Sequence, residues 1–339
     1  MTEKNYGGQS SYGAKGAVST ATKPLVTKKT VKQIKDDKPQ ALDNDLGTEE
    51  QNYIKAGKIA AKVKEYVKTI VKSGVPLLEI AEKIESKIQE LGGKPAFPVN
   101  LSIDTIAAHA TPLFNDQETA HGLLKVDLGV HIDGCIADTS LSFDLDGLEE
   151  NKKLIEAAEA ALKKALEVVR LGIPLREIGQ AIEKTINEHG FVPVHNLSGH
   201  SLSPNVIHAG ITIPNYDNSQ TMPLEEGAYA IEPFTTNGAG AVRDGKPSTI
   251  YSLESEGAVR DNFAREVLMY IVEEYQTLPF CTRWLVKKFG TRALIAVKRI
   301  EEAGILHSYH QLIERGGGKV AQAEHTILIT KDKKIITTQ

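Results

Sequence analysis

The chain has 339 residues, of which 41% are hydrophobic and 25% charged, and its formal net charge is −4. This composition is typical of a soluble globular protein with one large or two ordinary domains, and the small net charge argues against nucleic acid as a specific ligand. The two cysteines, Cys135 and Cys281, form neither a CxxC pair nor a disulfide framework, and no apolar run reaches the ~18 residues of a membrane span.

Residues 1–48 differ in composition from the rest of the chain. Their first part is rich in Gly, Ser and Thr, and from Lys23 to Lys38 lysines outnumber aspartates. Such a segment cannot bury enough apolar surface to fold alone, so we predict a disordered tail. It is either a solvated linker or a tether that contacts the ribosome transiently. Because the N-terminus also lacks the apolar core of a secretory signal, we expect a cytoplasmic protein without membrane partners.

Helical patterns begin at Glu49, and one of them occurs twice. Apolar residues at helical spacing predict one helix over 54–70 and a second over 77–91. The sequence from Gly74 to Gly92 is repeated from Gly172 to Gly190, with ten identities in nineteen positions. A repeat of this length predicts two duplicated half-domains, about 49–148 and 149–339, in an α+β architecture with helices covering the sheets.

The second half contains a predicted insertion. After the segment AIEPF (230–234) and a glycine-bearing stretch, residues from about 257 to 316 are mostly helical in pattern. Two strand-like segments, KVAQAEHTILIT and KDKKIITT, follow the three glycines at 316–318. We therefore predict a helical subdomain inserted between two strands of the second half.

Several acids and histidines lie in apolar or glycine-flanked stretches of sequence, where burying an unpaired carboxylate costs free energy. Asp127 and Asp138 flank a turn signal at residues 131–134, so a hairpin would bring both carboxylates to one face, with Asp133 solvated in the turn. No equal set of basic residues lies nearby in the sequence, so a pair of divalent cations would supply the balancing charge. The six residues of this kind are Asp127, Asp138, His200, His208, Glu232 and Glu324.

The order D-x10-D, then H, then E in IEPF and E in QxEHT resembles the metal-binding signature of the methionine aminopeptidases of peptidase family M24. The phrases KPAFPVNLSIDTIAAHATP, DLGVHIDGCIADT, NLSGH, IHAG, AIEPFTT, TLPFCTRWL and AQAEHTILI carry the likeness across nearly all of residues 49–339. The inserted helical segment resembles the type 2, archaeal-like subclass. The resemblance implies the pita-bread (creatinase/aminopeptidase) fold, a pseudo-two-fold arrangement in which helices cover a curved antiparallel sheet.

The resemblance also implies roles for individual residues. Asp127 would bind one metal, His200 and Glu232 the other, and Asp138 and Glu324 would bridge two divalent ions of the Co, Mn, Fe or Zn class. His109 would contact the substrate near the scissile bond, and His208 would stabilise the tetrahedral intermediate. The wall of the methionine pocket would be formed by Phe97, Ile207 and Tyr309.

The implied reaction is removal of the N-terminal initiator methionine from nascent proteins when the second residue is small. Two metals would activate a water, Glu232 would accept its proton, and neutral histidines would donate to the oxyanion. N-terminal Met peptides and nascent chains are the implied partners, and we expect a monomer.

Three departures from the family pattern leave the ligands intact. Ala120-His121-Gly122 replaces an acidic turn, His310 stands where proline is common, and Ala323 replaces a usual phenylalanine. We expect any effect of these changes to fall on substrate preference or rate.

Two other functions fit the same resemblance. One is a prolidase or aminopeptidase P-like peptidase, although such enzymes usually carry a large extra N-terminal domain. The other is a non-catalytic pita-bread protein that binds RNA or the ribosome. The five intact ligand positions favour the aminopeptidase over this last alternative.

Overall fold

The computed structural model describes residues 46–339. Residues 1–45, nearly all of the predicted tail with its ribosome contact, lie outside the described residues. No helix within 46–339 combines the length and the apolar character needed to cross a membrane.

The first elements of the described chain are two helices, a group of four strands and a second pair of helices, followed by three short strands. Their bounds are α1 (Thr48–Ile70), α2 (Leu77–Glu90), β1 (Lys94–Ile103), β2 (Ile106–Ala108), β3 (Leu123–Ile132), β4 (Cys135–Asp144), α3 (Glu149–Val168), α4 (Leu175–Glu188), β5 (Val192–Pro193), β6 (Ser198–Leu202) and β7 (Thr212–Pro214).

The remaining elements surround three further helices. Their bounds are β8 (Gly227–Ile231), β9 (Phe234–Thr236), β10 (Val242–Leu253), α5 (Asn262–Glu274), β11 (Phe280–Cys281), α6 (Thr282–Phe289), α7 (Ala293–Glu302), β12 (Leu306–Glu314), β13 (Val320–Gln322), β14 (His325–Ile329) and β15 (Lys334–Ile336). Within residues 46–339 the strands form four antiparallel sheets in the orders β1-β3-β4, β11-β10-β12-β2, β13-β9-β5 and β15-β14-β8-β6-β7.

The two repeated segments make the same hydrogen bonds in the two halves. The N–H of Gly74, before α2, donates to the carbonyl of Ala120 at 2.8 Å. The N–H of Gly172, before α4, donates to the carbonyl of Leu224 at the same distance. Both glycines have positive φ, at 83° and 77°, which glycine adopts without steric cost. The sequence repeat is therefore a structural duplication.

Each half buries its helices against its own sheet. Helices α1 and α2 share a hydrophobic core with β1, β3 and β4, whereas α3 and α4 share one with the sheet that contains β8 and β14. Full burial of one such aliphatic side chain contributes about 1.5–3 kcal/mol. The matching completely buried isoleucines are Ile80, Ile84 and Ile88 in α2, and Ile178, Ile182 and Ile186 in α4.

Helices α5, α6 and α7 are inserted between two neighbouring strands of one sheet, because the flanking strands β10 and β12 pair with each other. The helices end at Glu302, and Leu306–Glu314 forms β12, so the predicted helical range 257–316 is too long at its C-terminal side. The physical reason is that residues 306–314 have backbone partners on two sides, in β10 and in β2.

A buried ion pair joins the helical segment to the first half. Arg283 of α6 bonds the carboxylate of Glu85 in α2 with both terminal nitrogens, at 2.7 and 2.8 Å. The indole N–H of Trp284 donates to the same carboxylate at 2.8 Å. Glu85 is 7% exposed and Arg283 3%, so solvent screens this pair very little.

Candidate metal centre

The hairpin of β3 and β4 forms as predicted. Asp133 and Gly134 make the turn, with φ of 49° and 86°, and the Asp133 side chain is exposed. Asp127 pairs with Ser140, and Asp138 pairs with Gly129. The two aspartates are thus diagonal neighbours on one face of the hairpin, since residues two apart along a strand share a face.

Glu232 and Glu324 lie where paired strands pass from one sheet to another. Strands β8 and β14 pair in one sheet, and their continuations β9 and β13 pair in the next. Glu232 is between β8 and β9, and Glu324 is between β13 and β14. Pro233 adds to the break because it has no N–H to donate. The two glutamates consequently sit side by side at a bend.

Strand β4 is bonded directly to this bend, which joins the first half to the second. The N–H of Asp138 donates to Thr326 Oγ1 at 2.7 Å, and that hydroxyl donates back to the carbonyl of Asp138 at 2.8 Å. The hydroxyl of Thr139 donates to the carbonyl of Glu324 at 2.8 Å. The backbone bearing the aspartates is thereby fixed against the backbone bearing the second glutamate.

His200 completes the cluster from β6. Its Nε2 lies 3.5 Å from Glu232 Oε1 and 3.8 Å from Asp138 Oδ2. Asp138, His200 and Glu324 each offer a ligand atom, and these atoms lie within 4.8 Å of one another. Gly199 allows the close approach of β6 to β8, since a Cβ there would lie 2.3 Å from the carbonyl oxygen of Ala230.

The electrostatics of the cluster fit a bound cation. Burial and the neighbouring carboxylates raise the pKa values of Asp138, Glu232 and Glu324 well above their ordinary range. Burial raises the pKa of Asp127 to about 7 and lowers the pKa of His200 to about 3, so the imidazole is neutral and free to act as a ligand. Within residues 46–339, three carboxylates of the cluster each have one buried oxygen without a hydrogen-bond partner: Asp127, Asp138 and Glu324.

One buried ammonium group, close to the cluster in the sequence, does not balance this charge. Lys125 is 1% exposed and only two residues from Asp127, a feature that the sequence reasoning overlooked. Its Nζ donates to the backbone carbonyls of Asp104, at 2.9 Å, and Leu123, at 3.4 Å. Burial lowers the pKa of Lys125 to about 7, and its ammonium is engaged by the backbone. The donor set of four carboxylates and one imidazole therefore suits divalent ions better than an internal salt bridge.

Gln322 contacts the cluster and was not singled out from the sequence. Its Nε2 donates to Glu232 Oε2 at 3.2 Å, and its side chain lowers the pKa of Asp127, against the larger effect of burial. Its Oε1 accepts from the Ser140 hydroxyl at 2.9 Å, which fixes the orientation of the amide. The sequence feature that could have identified Gln322 is its position two residues before Glu324.

A cavity of about 330 Å³ opens onto the cluster. Nine of the ten predicted site residues line it, and Glu324 lies behind them, 2% exposed. The nine are Phe97, His109, Asp127, Asp138, His200, Ile207, His208, Glu232 and Tyr309.

The predicted substrate-contacting histidines both line the cavity and pack against different rings. His208 packs edge-on against His200, with ring centroids 4.5 Å apart. His109 packs edge-on against Tyr309 at 5.3 Å, and its Nδ1 lies 3.3 Å from the carbonyl oxygen of His310. Burial lowers the pKa of His109 to about 4, which keeps its ring neutral.

The three departures from the family pattern lie outside the cavity lining. Ala323 is 5% exposed and packs in the core of the second half. His310 has an exposed side chain and reaches the site only through its carbonyl. In the altered loop, the carboxylate of Asp104 occupies the space where a Cβ at Gly122 would lie.

Comparison with known proteins agrees with this geometry. The model of metallopeptidase family M24 matches residues 51–331. A methionine aminopeptidase of Pyrococcus abyssi is 48% identical over 291 residues, which cover 84% of this chain and 98% of that relative. The solved methionine aminopeptidase of Rickettsia prowazekii is 23% identical with a TM-score of 0.61, and the match covers 86% of this chain and 97% of that one. A thermophilic Arx1 is 17% identical with a TM-score of 0.73, covering 88% and 91%. The solved structures confirm the predicted pita-bread fold.

Proposed function

This chain belongs to metallopeptidase family M24 and, within it, to the methionine aminopeptidases, and we propose that its carboxylate cluster holds two divalent ions for the removal of N-terminal methionine. The observation that carries the proposal is the convergence of four carboxylates, two of them buried and two half-buried, and one neutral imidazole at one cavity. Two divalent ions would neutralise the four carboxylates, which otherwise repel one another.

The residues that would hold the ions are Asp127, Asp138, His200, Glu232 and Glu324. Ions of the Mn, Fe, Co or Zn class accept this mixture of oxygen and nitrogen donors, and availability decides among them. When bound, a pair of such ions lowers the pKa of a water molecule and polarises the scissile carbonyl.

Glu232 is the carboxylate that we assign as proton acceptor. Its side chain is 12% exposed and lines the cavity, whereas the side chain of Asp138 is 6% exposed. Gln322 bonds Glu232 Oε2, and Oε1 faces His200. One oxygen is thus fixed in place while the carboxylate remains accessible from the cavity.

The two cavity histidines have different hydrogen-bonding roles. A carbonyl oxygen can only accept, so the bond from His109 to His310 places the proton of the neutral ring on Nδ1. The remaining nitrogen, Nε2, is then an acceptor, suited to a substrate peptide N–H. This differs from the expectation that both neutral histidines donate. His208 is the histidine that we assign to the developing oxyanion.

Selectivity for methionine is assigned to the apolar part of the cavity. Phe97, Ile207 and Tyr309 line it together with Leu312 and Phe234, which an unbranched thioether side chain would contact. Because the cavity is bounded, a large second residue would compete for the same space. This restriction accounts for the preference for a small second residue.

The hairpin supplies a matched test of the metal site. Metal-depleted protein should regain cleavage of Met-Ala-Ser when a divalent ion is added, and Glu232→Ala should not. Asp127→Asn and Asp138→Asn should lose cleavage, while Asp133→Asn, in the same hairpin but exposed, should retain it. Failure of every divalent metal to restore cleavage, or equal loss in all three asparagine variants, would refute the proposal.

We also propose that residues 49–339 form the catalytic unit, with the helical segment as an inserted subdomain, and that the chain works in the cytoplasm as a monomer. The lysine-rich composition of residues 1–48 supports a transient ribosome contact. Co-sedimentation with ribosomes should fall when residues 1–48 are deleted, and equal co-sedimentation would remove this proposal.

A further inference from the structure

Asn100 is a cavity-lining residue with no role in the proposed chemistry so far. It lies in β1, is 4% exposed, and pairs with Asp127 in the neighbouring strand. Side chains directly opposite in an antiparallel pair share a face, with Cβ atoms roughly 4.5–5.5 Å apart. The register shifts between Phe97 and Asn100, an irregularity that redirects side chains at the edge of a site.

The orientation of the Asn100 amide is set by one hydrogen bond. Its Nδ2 donates to the carbonyl of Pro98 at 2.8 Å. A flipped amide would place two acceptors against each other, so Oδ1 must be the free atom. Within residues 46–339, Oδ1 is buried without a hydrogen-bond partner.

This oxygen differs from the other unpartnered atoms of the cavity lining. Within the described chain, those atoms belong to Asp127, Asp138 and His200, which are proposed metal ligands. Asn100 is neutral, and a buried acceptor without a donor costs about 1–3 kcal/mol. A neutral acceptor next to a carboxylate suits a cation that carries several N–H groups, because one such cation can donate to both.

We propose that Asn100 Oδ1 accepts a hydrogen bond from the α-ammonium group of the substrate's N-terminal methionine. An α-ammonium group has three N–H donors, whereas an internal peptide nitrogen has at most one. Asn100 would therefore help to restrict cleavage to the first peptide bond. This role rests on the proposed function, and it makes Asn100 a substrate-positioning residue.

The test compares two ligands that differ only in the α-amine. Metal-loaded Asn100→Leu protein is titrated calorimetrically with L-methionine and with 4-(methylthio)butanoic acid. The variant should bind L-methionine about 10- to 100-fold more weakly, as expected for one hydrogen bond to a charged group, and the amine-free acid within about twofold of wild type. The KM for Met-Ala-Ser should rise more than kcat falls.

Ser102→Ala is the matched control. Ser102 lies two residues along β1 and is 1% exposed, and its hydroxyl has no hydrogen-bond partner in the described part of the chain, but it does not line the cavity. It should leave both affinities unchanged. Asn100→Ala provides a second variant if leucine disturbs folding, which a thermal melt detects.

The outcomes separate this role from the proposed function. Equal weakening of both ligands, or a matching loss of metal affinity in the titration of the metal alone, would overturn the role of Asn100. Wild-type protein that neither binds L-methionine nor cleaves Met-Ala-Ser when metal-loaded would instead overturn the proposed function.

Discussion

Replacing Gln322 with leucine should weaken metal binding without removing a metal ligand. Gln322 Nε2 donates to Glu232 at 3.2 Å, and the hydroxyl of Ser140 donates to its Oε1 at 2.9 Å. Leucine has a similar size but cannot donate. The carboxylate of Glu232 would lose its orientation relative to His200.

The magnitude follows from the hydrogen bond that is lost. A hydrogen bond to a charged group contributes about 1.5–3 kcal/mol, and each 1.4 kcal/mol is a factor of about ten in affinity. Partners that orient metal ligands typically contribute about 10- to 100-fold in metal affinity. We therefore expect the dissociation constant of at least one ion to rise about 10- to 100-fold in Gln322→Leu.

The assay is competition between the protein and a chelator of known affinity, with a thermal melt of each variant to check folding. Gln311→Leu is the control, because Gln311 is also a buried glutamine, 8% exposed, but does not line the site cavity. Unchanged metal affinity in Gln322→Leu would contradict this role of Gln322. An equal loss in both variants would do so as well.

Three further predictions concern the cavity, the charge cluster and the helical segment. Gly129→Ala should raise the KM for Met peptides while metal affinity stays the same. The added Cβ would lie 2.3 Å from the ring of Phe97 and would push that ring into the cavity. Steady-state kinetics measures the change in KM. Metal-free protein should become less stable as pH rises towards about 7. The pKa of Asp127 is raised in the folded state, so below that pH the folded state binds more protons than the unfolded state does. Thermal melts at about pH 5.5 and pH 8 should show this trend, and bound metal should abolish it. Arg283→Met should lower the free energy of unfolding by about 3–5 kcal/mol, since it leaves the carboxylate of Glu85 buried without a charge partner; denaturant unfolding measures this.

The ligand residues could be predicted because their sequence surroundings are unusual for acids. Asp127 and Asp138 stand in apolar strand text on either side of a turn signal, and the register of the observed hairpin brings them together. Glu232 and Glu324 were predicted in the same way, but their position at a bend shared by two sheets was not predicted. That bend depends on pairing between strands about 100 residues apart, such as β8 and β14, which local patterns do not encode.

The supporting amides were harder to predict. Gln322 and Asn100 are uncharged and common in any context, so only the neighbours that they contact reveal a role. Lys125 was overlooked for a related reason, since a lysine in a strand gives no sign that backbone carbonyls will hold it in the interior. The end of the helical insertion was misjudged because residues 306–314 gain their strand character from partners on both sides.

The most direct test of the central claim is anomalous diffraction from crystals of the Mn-loaded protein. We expect two anomalous peaks, with Asp138 and Glu324 contacting both, Asp127 contacting one, and His200 and Glu232 contacting the other. The same data from Asp138→Asn crystals should show at least one peak weakened. A single peak, or peaks that lie away from these five side chains, would contradict the two-metal site.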